Sequence, residues 1–83
     1  MTGADQDPDD ATIAQVLHAL ADERAPDRTF CPSEAARRLS DDWRPLMDRV
    51  RRVAAAQPDL VATQGRAEVD PLTARGPIRL SRR

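Results

Sequence analysis

The apolar residues near the start of the chain repeat with the period of an amphipathic helix. Four of them lie at positions i, i+3, i+4 and i+7: Ile13, Val16, Leu17 and Leu20. This spacing places them on one helical face and predicts a helix over residues 11–23. Asp10 is a candidate N-cap, and Thr12 with Gln15 is a candidate capping box one turn later.

A second, shorter helix is predicted to begin at Pro32, because proline suits the first helical position. Three small or apolar residues share its inner face: Ala35, Ala36 and Leu39. Glu34 and Arg38 are spaced for an outward ion pair at i,i+4. Residues 29–31, just before this helix, are β-prone and are predicted to be extended.

A third helix is predicted after Ser40-Asp41-Asp42, with Pro45 in its first turn. Its apolar stripe runs to about residue 57, as the helical period requires: Leu46, Met47, Val50, Val53 and Ala54. Asp48 and Arg52 point away from the stripe, and Arg49 and Arg51 flank it on opposite sides. This helix is therefore apolar beneath and rich in arginine above.

The period changes in the last third of the chain, where strands are predicted. Residues 60–64 and 67–70 form two short extended runs around Gly65 and Arg66, which suit a hairpin turn. A loop follows Pro71. In the final apolar run, alternate side chains share one face: Ile78 and Leu80.

The predicted order is helix, short strand, helix, turn, helix and β-hairpin. This is the order of a winged helix-turn-helix domain, an α+β fold that is mainly α. In that fold the third helix is the recognition helix and the hairpin is the wing. The sequence therefore predicts a single winged-helix domain over residues 11–83.

Several separate blocks of residues also resemble a known bacterial family: Phe30-Cys31-Pro32-Ser33-Glu34-Ala35-Ala36-Arg37, Trp43-Arg44-Pro45-Leu46-Met47, Val50-Arg51, Thr63-Gln64-Gly65, Val69-Asp70-Pro71 and Gly76-Pro77-Ile78-Arg79-Leu80. It is the family of the domain of unknown function 3253, which consists of small winged-helix proteins. The resemblance extends over nearly all of the chain from about residue 11. It implies the fold and a bacterial, cytoplasmic setting. It implies no established activity and no functional residues.

Charge changes this picture, because it is distributed unevenly. All 13 basic residues among the 83 are Arg, set against 11 Asp and three Glu, for a net charge of −1. Residues 1–23 contain six acids and no Arg, whereas residues 24–83 contain 13 Arg and eight acids. Residues 1–10 have no bulky apolar side chain after Met1, which predicts a disordered acidic tail.

Several classes of protein are excluded by these counts. No apolar run approaches the roughly 20 residues that span a bilayer, and the start of the chain lacks the pattern of a secretion signal. The single cysteine excludes an internal disulfide. We therefore expect a cytoplasmic protein without a membrane partner.

The arginines are the main functional signal. Six of them, on the third helix, in the hairpin turn and on the last run, are candidate nucleic-acid contacts: Arg44, Arg49, Arg51, Arg52, Arg66 and Arg79. Arg82 and Arg83 could join them at the end of the chain. A guanidinium group grips phosphate or guanine with two hydrogen bonds. We therefore expect double-stranded DNA as the partner, in a regulatory role, unless Asp48 neutralises Arg44 and Arg52 through i,i+4 pairs.

Two alternatives stay open at this point. The fold could be a protein-interaction module without DNA binding, since Arg is also favoured at protein interfaces, and helix one or the outer edge of the wing could support a homodimer. The acidic tail could compete with phosphate for the arginines or could only aid solubility.

Catalysis has little support in the sequence. Cys31 precedes a helix, but the only histidine, His18, is predicted to lie exposed on another helix and has no reason to meet it. One His and one Cys do not make a metal site. We therefore expect a non-enzymatic protein with no cofactor and no small-molecule substrate. Cys31 is predicted to be buried, and Phe30 and Trp43 are predicted to pack in or beside the core.

Overall fold

Three helices precede a three-stranded antiparallel sheet in the computed structural model, which describes residues 8–24 and 28–83. This confirms the α+β class and is consistent with a winged helix. The elements follow one another in this order: α1 (Asp10–Glu23), α2 (Pro32–Leu39), a 3-10 turn (Arg44–Leu46), α3 (Met47–Ala55), β1 (Leu60–Gln64), β2 (Ala67–Val69) and β3 (Arg79–Arg82).

The first helix begins one residue before the predicted start, and its cap differs from the prediction. Asp9 is the N-cap, and its Oδ1 accepts a hydrogen bond from the Thr12 backbone N–H at 2.8 Å. Asp10 is already helical, so neither Asp10 nor Thr12 caps α1. The remainder of the predicted acidic tail, residues 1–7, lies outside the described residues.

The second helix begins at Pro32 as predicted, but the prediction of an ion pair between Glu34 and Arg38 is wrong. Glu34 instead accepts hydrogen bonds from the guanidinium of Arg24 and from the backbone N–H of Cys31. Arg38 donates to both carboxylate oxygens of Glu23, at 2.6 and 2.8 Å. Because tertiary contacts bring α1 alongside α2, each partner finds a charge outside its own helix.

The third helix is divided at its start. Pro45 lies in the 3-10 turn, as a proline in a first turn can, and the α-helical part ends at Ala55, two residues before the predicted end. The turn places Trp43 and Arg44 just beyond the end of α2. The short joint from Ala56 to Asp59 then leads directly into β1.

The predicted hairpin is part of a larger sheet. β1 pairs with β2, with Gln64 opposite Ala67, and also with β3, with Ala62 opposite Leu80. The strand order is β2-β1-β3. Phe30 extends this sheet through a two-bond bridge to Leu80, with N···O distances of 2.8 and 2.7 Å. The wing is therefore the connection from β1 to β3, residues 65–78, which contains β2.

The core lies between the three helices and the inner face of the sheet. Its largest fully buried side chains include Phe30, as predicted, and three residues of the α1 stripe, Ile13, Leu17 and Leu20, while Val16 is partly buried. Trp43 is half-buried and packs against this core, also as predicted. In the part of the chain that the structure describes, no helix is long and apolar enough to cross a membrane.

Candidate nucleic-acid interface

The solvent face of α3 is bordered by two arginines that reach in opposite directions, as the helical wheel predicts. Arg49 donates to the carbonyl oxygen of Pro8 at 2.6 Å and to Oδ1 of Asp10 at 3.2 Å. On the other side, Arg51 donates to the carbonyl oxygens of Ala74 at 2.8 Å and Gly76 at 2.6 Å. The N-terminal segment and the wing thus lie along the two sides of α3.

Between these borders, the exposed surface of α3 carries Arg52 and Asp48. The predicted pairs of Asp48 with Arg44 and Arg52 are wrong, since no ion pair involving Asp48 is formed among residues 8–24 and 28–83. The full positive charge of Arg52 is therefore available to an external anion.

The hairpin turn presents Arg66 at the tip of the wing. Gly65 and Arg66 have φ angles of 59° and 76°, as a two-residue type I′ turn requires. Glycine adopts this conformation without strain, whereas a side chain with a Cβ atom does so at a cost. Arg66 is exposed there and forms no ion pair with a carboxylate of the described residues.

A side-chain amide joins the turn to the loop before β3. Gln64 Nε2 donates to the carbonyl oxygens of Arg75 at 2.6 Å and Pro77 at 3.0 Å. Together with the Arg51 contacts, this holds the exposed Arg75 between α3 and the hairpin turn. Arg75 and Gln64 are candidate site residues that the sequence did not single out, although the position of Arg75 next to Gly76 in a loop was a usable signal.

The sixth candidate, Arg79, lies at the start of β3, opposite Thr63 of β1. Its guanidinium donates to Oγ1 of Thr29 at 2.9 Å and to the carbonyl oxygen of Thr29 at 3.1 Å. These partners are neutral, so Arg79 keeps its charge while its side chain is fixed. Arg51 also keeps its charge, because its partners are neutral backbone carbonyl groups.

The arginines at the other end of the sheet are neutralised by carboxylates. Arg82 forms ion pairs with Asp22 and with Asp59, the latter at 2.9 Å, and Arg83 pairs with Glu68 at 3.0 Å. Hence Arg82 and Arg83 do not extend the candidate interface. Five arginines in all pair with described carboxylates: Arg24, Arg38, Arg49, Arg82 and Arg83.

The pKa values of several residues in these ion pairs are shifted by their partners. The hydrogen bond from His18 lowers the pKa of Asp59, and the charge of Arg82 contributes less. The hydrogen bond to Asp22 raises the pKa of Arg82, and the hydrogen bond from Arg38 lowers the pKa of Glu23. Attraction between these charges thus stabilises the fold at this end of the molecule.

The remaining arginines have no carboxylate partner in the described residues, and four of them lie on α3 and the wing. We call six of them the arginine surface: Arg44, Arg51, Arg52, Arg66, Arg75 and Arg79. Five of the six predicted contact residues belong to it. Arg49 does not, because it is bound to Asp10.

Two guanidinium groups stack on the indole ring of Trp43. The Cζ atom of Arg44 lies 4.6 Å from the ring centroid, and the Cζ atom of Arg37, from α2, lies 4.7 Å from it. Arg37 was not among the predicted contacts, because the five residues between it and Trp43 include the end of a helix and a turn.

The residues considered for catalysis are placed apart. His18 is half-buried, not exposed, and its Nε2 lies 3.0 Å from Oδ1 of Asp59. Cys31 is half-buried, not buried, and its Sγ accepts a hydrogen bond from Ser33 Oγ at 3.1 Å. No group of three metal-ligating side chains occurs within residues 8–24 and 28–83.

Comparison with models of protein families identifies the family of this chain. The model of a family described as "protein of unknown function (DUF3253)" matches residues 10–83, nearly the whole chain. The chain belongs to the DUF3253 family. No curated protein matches it. In this DUF3253 protein, the matched region contains every element described above and the whole arginine surface, so the candidate interface lies within the family domain.

Proposed function

We propose that this domain binds double-stranded DNA through the solvent face of α3 and the wing, and that it does so without catalysing a reaction. The observation that carries the proposal is the division of the arginines. The arginines of the wing and those of α3 other than Arg49 have no carboxylate partner in the described residues, whereas those at the opposite end of the sheet are paired with carboxylates.

The shape of this surface suits a duplex. The major groove of B-DNA admits an α-helix, and the solvent face of α3 carries Arg52, with the exposed Arg44 in the 3-10 turn that precedes the helix. Arg66 and Arg75 lie to one side of the helix, where a wing would meet the phosphate backbone. Contacts to phosphate fix the position of the protein, and base contacts from the helix supply specificity.

The wing is held in place before any ligand binds. Arg51 and Gln64 together donate four hydrogen bonds to backbone carbonyl groups of the loop before β3. Because the loop is already ordered, binding through Arg75 costs little further conformational entropy.

The acidic balance of the whole chain limits the strength of binding. The sequence pI is about 5.7, far from the values of strongly basic domains. We therefore expect measurable affinity at low salt and a steep loss of affinity as salt increases, since phosphate contacts release counterions. An interface with a protein partner, the alternative function, would be far less sensitive to salt. Only one large apolar side chain in the described residues, Leu72, is well exposed, so no apolar patch favours that alternative.

Fluorescence anisotropy of a labelled duplex at low salt tests the proposal. The double variant R52Q/R75Q removes two charges from the arginine surface and should weaken binding by about tenfold or more. The matched control R38Q/R82Q removes two charges that are paired with carboxylates, and it should change the affinity far less. Absence of duplex binding, or equal effects of the two double variants, would contradict the proposal and favour the protein-interaction alternative.

A further inference from the structure

Arg37, Trp43 and Arg44 form a cluster that lies outside α3 and is already assembled in the absence of a ligand. Arg37 comes from α2, and Arg44 comes from the 3-10 turn that precedes α3. Both guanidinium groups lie within 4.7 Å of the indole centroid. Because the ring packs against the core, it holds both of these long side chains in place at the surface.

Stacking uses the faces of the guanidinium groups and leaves their edges available. The N–H donors lie in the plane of the group, so an arginine on an aromatic ring can still bind an oxyanion with two parallel hydrogen bonds. Among the described residues, neither Arg37 nor Arg44 forms a hydrogen bond or an ion pair. Their in-plane donors are therefore free for an external acceptor.

The carboxylates nearest along the chain do not compensate these charges. Glu34 is bound to Arg24 and to the backbone of Cys31, and the Glu23 carboxylate is bound to Arg38. Asp41 and Asp42 lie in the exposed turn before Trp43 but pair with neither arginine. Two cations that share one ring and have no ion-pair partner in the described chain raise the local potential for an anion.

We propose that Arg37 and Arg44 together bind one phosphate group of the DNA backbone, with Trp43 as the positioning residue that holds them. The inference rests on the proposed function and extends the interface from α3 to the end of α2. A donor set of two guanidinium groups fits a phosphodiester, which offers two unesterified oxygens. We call the pair of Arg37 and Arg44 the clamp. On this proposal, α3 in the major groove and the clamp contact the same duplex.

The experiment compares duplex affinity and its salt dependence for R37Q, R44Q and the double variant R37Q/R44Q. Each single change should weaken binding about tenfold, as loss of a charge-assisted contact does. Because both arginines hold the same phosphate, the double variant should lose little more than either single variant. In each of the three variants, the magnitude of the slope of log affinity against log salt concentration should fall by about 0.9, the value for one phosphate.

Arg38 supplies the matched control, since it neighbours Arg37 on the same helix but is bound by Glu23. R38Q should leave the salt slope unchanged. If R37Q and R44Q behave like R38Q while the wild-type protein binds duplex, the clamp is overturned and the proposed function stands. If the wild-type protein binds no duplex, both fail.

Variants of Trp43 test its positioning role. W43F keeps an aromatic face and should retain much of the affinity, whereas W43L should reduce both the affinity and the salt slope as R37Q does. Thermal unfolding of both variants shows that they are folded. Equal salt slopes for W43L and the wild type would contradict the role.

Trp43 is also the only tryptophan in a chain without tyrosine, so its emission reports on this site alone. We expect the emission to change along the same binding curve as the anisotropy. Inorganic phosphate at the same concentrations should produce no change. A change with inorganic phosphate and none with duplex would overturn the assignment to DNA.

Discussion

The Nη2 atom of Arg51 lies 2.6 Å from the carbonyl oxygen of Gly76, and this hydrogen bond joins α3 to the wing. A second bond from the same guanidinium, to Ala74, holds the preceding part of the loop. Arg51 thus orients the loop that presents Arg75. Its charge contributes to the arginine surface, while two of its donors serve the fold.

Replacing Arg51 should therefore cost stability as well as affinity. R51Q removes two hydrogen bonds from a charged donor to backbone carbonyls, and we expect the free energy of unfolding to fall by about 1–3 kcal/mol. R52Q, a change of the same kind on the exposed side of α3, should stay within about 0.5 kcal/mol of the wild type. Urea denaturation measures both, and equal values for the two variants would contradict the assigned role of Arg51.

Because Arg66 has a positive φ, two substitutions can distinguish the strain of its backbone from the contribution of its charge. R66G relieves the strain of a Cβ atom at φ 76°, and we expect the free energy of unfolding to be unchanged or higher by about 0.5–1 kcal/mol. R66A removes the same charge but keeps the strain, so it should be less stable than R66G. Both should weaken duplex binding equally, and a different loss of affinity in the two variants would show that the turn itself makes the contact.

The His18–Asp59 contact makes stability sensitive to acid. Because the pKa of Asp59 is lower in the folded state than in the unfolded state, its contribution is present above the unfolded pKa and is lost as pH falls through the folded pKa. We expect D59N to be less stable at pH 7 and to lose stability less steeply than the wild type below about pH 4. D48N, at a carboxyl without an ion pair in the described chain, is the control and should follow the wild-type curve. Parallel acid curves for D59N and the wild type would disprove the contribution.

The acidic N-terminal segment supplies a prediction about regulation. Asp7 directly precedes Pro8, whose carbonyl oxygen accepts a hydrogen bond from Arg49 of α3, and Asp5 comes two residues before Asp7 in the sequence. From this closeness in sequence, we expect the two negative charges to oppose the approach of a phosphate to α3. We expect D5N/D7N to bind duplex roughly threefold more tightly at low salt and equally at high salt, where screening removes the difference. Unchanged affinity at low salt would leave the segment only a role in solubility.

Local patterns were sufficient to predict the helices, but not the partners of their charged side chains. The stripe of α1 and Pro32 at the start of α2 depend on nearest neighbours along the chain, so the spacing of residues reveals them. The pair of Arg38 with Glu23 depends on how α1 lies against α2, and the i,i+4 rule therefore selected the wrong partner for Arg38. For the same reason, the sequence did not reveal that β3 pairs with β1.

The candidate site was predicted in part, for a related reason. Charge and helical phase identified Arg52 and Arg66 as exposed, since exposure follows from local position. Other features depend on contacts between different elements of the chain, which local position does not reveal. They are the hydrogen bonds of Arg51 to the wing and the contacts of Arg37 and Arg44 with the ring of Trp43. Composition also concealed the division between paired and unpaired arginines, because both groups contribute equally to a net charge of −1.

The most direct test of the central claim is a titration of the ¹⁵N-labelled protein with a short duplex, followed by ¹H–¹⁵N correlation spectra. The claim predicts that shift changes concentrate in α3, in the Gly65–Arg66 turn and in the loop around Arg75. The amides around Asp22, Asp59 and Arg82, at the neutralised end, should change little. Shift changes centred on that end, or none at a duplex concentration well above that of the protein, would contradict it.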